Sequence, residues 1–207
     1  MITSCVAAAA LLLAASTEAQ TVKYNAKPGG GRMQIDGTST VHDWTVEGKL
    51  IAGSMELDGS FPADNSAAAA PAFKTAPKVQ VTIPVRSLKS GKTAMDSVMH
   101  EAMKQEKHPT ITYTVTEMTP SKDARQAGKP YKYNAKGDLT VSGVKKTISM
   151  PVEMDRVDAN SIKVTGSVAV KMTDFGIQPP APKIALGLIS TGDEVKLKFE
   201  WLTVKAP

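Results

Sequence analysis

The sequence predicts an all-β domain of antiparallel strands carrying one short amphipathic helix, and three observations lead there. About eight segments alternate apolar with polar residues, the period that turns one face of a strand to a core and the other to water. Clusters of Gly, Pro, Asn and Asp separate these segments where turns are needed. A single stretch, from Thr93 to Lys104, switches to helical spacing.

Val22 and Tyr24 open the series, and Met33 and Ile35 follow a Gly29-Gly30-Gly31 run that reads as a turn. Trp44, Val46 and Leu50 fall on one face of the next segment, and the low-complexity stretch from Ala63 to Ala72 reads as a surface loop. Val79, Val81, Ile83 and Val85 then alternate against Gln80 and Thr82. In the helix, Met95, Val98, Met99, Ala102 and Met103 recur at spacings of three and four, which leaves His100, Glu101 and Lys104 on the solvated side. Pro109 ends the helical stretch and holds His108 extended, after which Ile111, Tyr113 and Val115 alternate with threonines.

A Lys/Gly/Pro-rich loop from Pro120 to Pro130 leads to Leu139 and Val141 and a turn near Gly143. Ile148, Met150, Val152 and Met154 share the next strand face, with Asp158-Ala159-Asn160 as its turn. Ile162, Val164, Val168, Val170 and Met172 mark one of the longest strands. After the Pro179-Pro180-Ala181-Pro182 loop and a short apolar piece near Leu186, Val195, Leu197, Phe199 and Trp201 close the series. Alternation alone fits a closed barrel and a two-sheet sandwich equally well.

A chain of 207 residues is long enough for one domain with a sizeable core. Residues 1–19 read as a secretory signal: Val6 to Ala15 is wholly apolar but too short to span a membrane, and Thr17-Glu18-Ala19 supplies small residues for cleavage before Gln20. The mature domain is then 20–207, periplasmic or secreted, and Cys5, the only cysteine, is lost with the signal. A formal charge of +5 would suit nucleic acid or an acidic membrane surface. Lys145, Lys146, Lys196 and Lys198 fall on the polar faces of strands with few interleaved aromatics, so a solvated exterior is the reading, with no nucleic-acid partner and only weak contact with acidic lipid headgroups.

No recognisable catalytic constellation is present: no nucleophile elbow, no His-Glu-x-x-His, no P-loop, no dinucleotide fingerprint. The three histidines, His42, His100 and His108, have no short metal-ligand spacing, so neither metal nor cofactor is expected.

Three motifs, in order, carry a resemblance: Met95-Asp96 on the helix, Lys107-His108-Pro109-Thr110-Ile111-Thr112-Tyr113, and Gly137-Asp138-Leu139-Thr140-Val141-Ser142-Gly143-Val144-Lys145-Lys146. The chain resembles the YceI-like family from roughly Tyr24 to Lys205. Many members carry an Arg-Asp-x-His-Leu helix signature, where this chain has Met95, Val98 and Met99 at the Arg, His and Leu positions. The resemblance implies a single antiparallel up-and-down, lipocalin-like β-barrel that holds a long isoprenoid, fatty acid or fatty amide in the periplasm or outside the cell.

In such a barrel, the apolar faces named above become a ligand lining. The residues assigned to it are Trp44 and Val46, Val81 and Ile83, Met99 and Met103 of the helix, Ile111 and Tyr113, and Leu139 and Val141. Ile148 and Met150, Val168, Phe175, and Leu197 and Phe199 complete it, with Phe175 placed among turn residues where an aromatic can plug an opening. Methionine suits either role, as a filler of irregular cores or as a wall that reshapes around a flexible chain. Burying about twenty methylene equivalents yields ~16 kcal/mol gross, against an immobilisation cost of about 4–15 kcal/mol. The function expected is non-catalytic binding or transport of an isoprenoid, isoprenoid quinone or fatty lipid by a monomer or homodimer. Two rivals stand beside it: a β-sandwich with a filled core that binds a protein or polysaccharide, and an enzyme using Asp96, His42 or His100.

Overall fold

The structure, a computed structural model, describes residues 21–181 and 189–207. The expected signal segment, Cys5, the expected cleavage position before Gln20 and the apolar piece near Leu186 lie outside the described residues.

Among the described residues, nine strands and one α-helix follow one another: β1 (Thr21–Ser39), β2 (Trp44–Gly48), β3 (Ala52–Asp58), β4 (Lys78–Pro84), α1 (Thr93–Ala102), β5 (Thr110–Pro120), β6 (Tyr131–Val141), β7 (Val144–Asp158), β8 (Ser161–Lys171) and β9 (Thr191–Lys205). Each strand pairs antiparallel with its neighbours, and β9 returns to β1 from Tyr24↔Lys205 to Ser39↔Thr191. That pairing closes the sheet and removes the sandwich alternative, because a sandwich leaves its two sheets with free edges. β2 and β3 lie along the same edge of β1, β2 beside Met33–Gly37 and β3 beside Thr21–Asn25, so together they count as one interrupted strand of a closed eight-stranded barrel.

Three expectations change here. Gly29-Gly30-Gly31 is no turn: β1 runs through it for 19 residues, and its register with β9 shifts between Ala26 and Gly31. A long barrel strand must bend at a corner, and Gly29 absorbs the bend at φ 71°. Leu50 does not share the inward face of Trp44 and Val46, because the break between β2 and β3 changes the phase; Leu50 is exposed and Ile51 is buried instead. The Ala63–Ala72 segment is more than a surface loop, since Ala67, Ala70 and the following Phe73 pack against the core.

That segment closes one end of the barrel. Phe61 meets Tyr131 edge-on at 5.6 Å and Phe73 at 6.2 Å, while Phe73 stacks on Tyr133 at 5.2 Å. Two cations finish the plug: Arg125 sits 3.9 Å above the Tyr131 ring, and Arg156 lies 5.0 Å from Phe61 and donates to the Tyr24 hydroxyl at 3.0 Å. The Tyr131 and Tyr133 hydroxyls donate to the Asp64 and Pro71 carbonyls, so this closed base satisfies its own polar atoms.

The other end carries the β1–β2 loop, α1, the Ser142-Gly143 hairpin turn and the described parts of the β8–β9 connection on either side of residues 182–188. The expected helix ends at Ala102, short of Lys104. Met103 is buried, and Met95, Met99 and Ala102 pack on the core, as the helical spacing requires. His100 departs from the solvated side assigned to it: it is half-buried, with its ring Nε2 3.0 Å from the Leu88 carbonyl, because the segment after β4 folds back over that face.

Candidate functional site

Between the plugged base and the helix lies one cavity of about 490 Å³, inside the range of about 300–1,000 Å³ usual for small-molecule sites. Its existence follows from geometry. Eight strands enclose room for side chains or one small ligand, and most of the inward residues here are medium-sized aliphatics and methionines, with Trp44, Tyr113, Phe175, Phe199 and Trp201 among them. Trp201, Met33 and Ile51 border it toward the base, and the face of α1 carrying Met95, Val98, Met99, Ala102 and Met103 borders it from above. The helix positions where the family signature places Arg, His and Leu therefore face the cavity, and in this chain they present only apolar side chains.

Fifteen of the residues assigned from sequence border this cavity: Trp44, Val81, Ile83, Met99, Met103, Ile111, Tyr113, Leu139, Val141, Ile148, Met150, Val168, Phe175, Leu197 and Phe199. Val46 does not. It is buried at 1% exposure on β2 but packs within the core away from the space. Sequence reasoning left out Met33, Ile35, Ile51, Val170, Val195 and Trp201, which also border the cavity. Alternation marked most of these as inward, but inward positions divide between cavity and solid core only in three dimensions.

The wall is unevenly built. β7 and β8 pair only from Val152↔Gly166 to Asp158↔Ser161, so Val144–Pro151 and Ser167–Lys171 have no ladder between them. A single helical turn, Met172–Phe175, packs there against β7, β8 and β9, with Phe175 buried and bordering the cavity. Asp193 fixes the turn by accepting from the Thr173 backbone N–H at 2.9 Å and its hydroxyl at 2.7 Å, which hold the Asp193 carboxyl below its ordinary range.

Polar atoms on the cavity wall are few. The Tyr113 hydroxyl and Trp201 Nε1 are buried with no hydrogen-bond partner. Burial, and secondarily the Asp138 charge, push the Tyr113 hydroxyl up to about 12, so it stays neutral. Its ring lies over Gly137, where a Cβ would stand 2.8 Å from the ring and the hydroxyl. Toward the open end, Ser39, His42, Lys92 and Thr191 border the space.

The residues of the enzymatic rival do not converge. Only His42 borders the cavity. Asp96 is buried and accepts from the Ser90 N–H and hydroxyl, each at 2.7 Å; burial would raise its carboxyl, but these bonds and the Lys89 and His100 charges hold it down. It therefore straps the helix to the preceding loop. Among the described residues no group of three His, Cys, Asp or Glu side chains could hold a metal, and no helix is long and apolar enough to cross a membrane.

Comparison with known proteins matches residues 20–202 to the YceI-like domain. The chain belongs to the YceI-like family. No curated protein matches it. Among solved structures, BcnA of Burkholderia cenocepacia is similar with a TM-score of 0.65 and 18% identity, over 86% of this chain and 98% of that one. A polyisoprenoid binding domain from Saccharophagus degradans, implicated in plant cell wall breakdown, gives 0.61 at 13% identity over 88% and 98%. The Campylobacter jejuni YceI protein gives 0.54 at 21% identity over 78% and 84%. At these identities, the likenesses establish a shared barrel fold.

Proposed function

We propose that this protein is an exported, cofactor-free YceI-like carrier that sequesters or transports one amphiphilic lipid inside its barrel, without catalysis. An isoprenoid or isoprenoid quinone is the first choice of ligand, and a fatty acid or fatty amide the second. The observation that carries the reading is the cavity: about 490 Å³, plugged at the base and walled by aliphatic, methionine and aromatic side chains. Each methylene moved there from water gains ~0.8 kcal/mol without regard to its identity, so affinity follows chain length. The likeness to a domain described as polyisoprenoid binding supports the same ligand class.

Native mass spectrometry of protein freshly purified from its own host, followed by lipid extraction, tests the proposal. A bound lipid of one chain length class is expected. Protein that carries no lipid and takes up no fluorescent isoprenoid analogue overturns the carrier reading. Export is tested by N-terminal sequencing of the same material, which should begin at or near Gln20; an intact Met1 in the cytoplasm would overturn it.

A further inference from the structure

The polar atoms of the cavity decide where a headgroup can sit. Inside, the two polar atoms on the wall, the Tyr113 hydroxyl and Trp201 Nε1, are themselves buried and partnerless, so neither is open to a ligand without displacing its neighbours. A charged or strongly hydrogen-bonding head drawn into that interior would lose its hydration with nothing in return. The head therefore stays at the open end, and the chain goes in first.

Among the described residues, four polar side chains border the cavity at that end, and two are already committed. The Ser39 hydroxyl donates to the His42 carbonyl at 2.7 Å, and the Thr191 hydroxyl donates to the Pro180 carbonyl at 2.6 Å. The other two are exposed, with His42 committed through one ring nitrogen and Lys92 through no side-chain atom. His42 places Nδ1 2.8 Å from the Asp43 carbonyl; a carbonyl can only accept, so Nδ1 carries the proton and Nε2 is left over. Lys92 precedes α1, and its side chain makes no capping bond and no ion pair among the described residues. No acidic residue is among the described residues that border the cavity.

From this we infer that Lys92 is a specificity-determining residue of the proposed carrier: it selects an amphiphile whose head is anionic, a carboxylate or a phosphate, over a neutral quinone, alcohol or amide. The inference rests on the lipid-carrier reading and narrows its ligands to those with a charged head, an isoprenoid phosphate or a fatty acid, ahead of the quinone and the amide. Lys92 works at an exposed rim, so its contribution is that of a solvent-screened ion pair and weakens with salt.

Displacement of N-phenylnaphthylamine from delipidated mature protein by hexadecanoic acid, hexadecyl phosphate and hexadecanol tests it, because the three share one chain and differ in the head. The acid and the phosphate should bind about two- to five-fold more tightly than the alcohol at low salt. Lys92→Ala should level the three, Lys92→Glu should place the alcohol first, and Lys92→Arg should keep the wild-type order. The stronger of the two anions identifies a fatty acid or a prenyl-type phosphate as the natural head. Equal binding of all three by the wild type, or an equal loss for all three in Lys92→Ala, overturns the role of Lys92 while leaving the carrier intact. Failure of all three, the alcohol included, to displace the probe overturns the carrier reading itself.

Discussion

Two valines on inward strand faces provide a sharp test of where the empty space lies. Val141, at the end of β6, borders the cavity and is half-buried, whereas Val46 on β2 is 1% exposed and does not border it. Sequence alternation treats the two alike. Replacing Val141 by Trp adds about seven heavy atoms to open space, which displaces a comparable number of ligand methylenes at ~0.8 kcal/mol each, or up to ~6 kcal/mol of gross binding. At about 1.4 kcal/mol per tenfold, lipid affinity falls by up to roughly ten-thousandfold. Stability should change little, because nothing must be pushed aside. The same substitution at Val46 forces the indole into filled core and should cost about 1–3 kcal/mol, a drop in Tm of about 2–12 °C for a domain of this size. Circular dichroism melts and native mass spectrometry of both variants read the two quantities. The reasoning is refuted if Val141→Trp melts as early as Val46→Trp, which would mean no space beside Val141, or if Val141→Trp still purifies with its lipid.

Other consequences follow from the base, the rim and the surface. Phe61→Ala removes the ring shared by Tyr131, Phe73 and Arg156 and should cost about 3–5 kcal/mol in a denaturant titration; a loss below ~1 kcal/mol would show that the plug is not cohesive. Gly37→Ala would set a Cβ 2.1 Å from the Trp44 ring, so the ring must move and its indole bond to the Thr38 carbonyl, 3.0 Å, must break, which a shift in tryptophan emission should report. Asp36 is held down at about 2, first by the Lys198 hydrogen bond and then by Gln34. Because its folded value lies below the unfolded one near 3.8, its stabilisation is complete above about pH 4 and is lost as pH falls toward about 2. Wild type should therefore exceed Asp36→Asn in stability by at most ~1 kcal/mol at neutral pH and converge with it near pH 2; a gap that persists at that pH would contradict this assignment.

Much of this architecture is local in origin and so legible in the chain. Alternation at Ile111, Tyr113 and Val115, or at Val195, Leu197 and Phe199, reports only that one strand face leaves water, and strands record that in every second residue. The methionine stripe of α1 is equally local, since 3.6 residues per turn bring Met95, Met99 and Met103 onto one side. The tertiary structure decided what local pattern cannot carry. Whether the sheet closed depended on β9 meeting β1 across the whole chain, and whether Gly29-Gly30-Gly31 turned or bent depended on that closure. The base plug joins Phe61, Phe73, Tyr131, Arg125 and Arg156 from loops and strands far apart in sequence, and each alone reads as an ordinary loop or strand residue. The division of inward side chains into solid core around Val46 and open space beside Val141 was likewise invisible to periodicity. Periodicity gives the direction in which a side chain points, and only packing gives what it meets there.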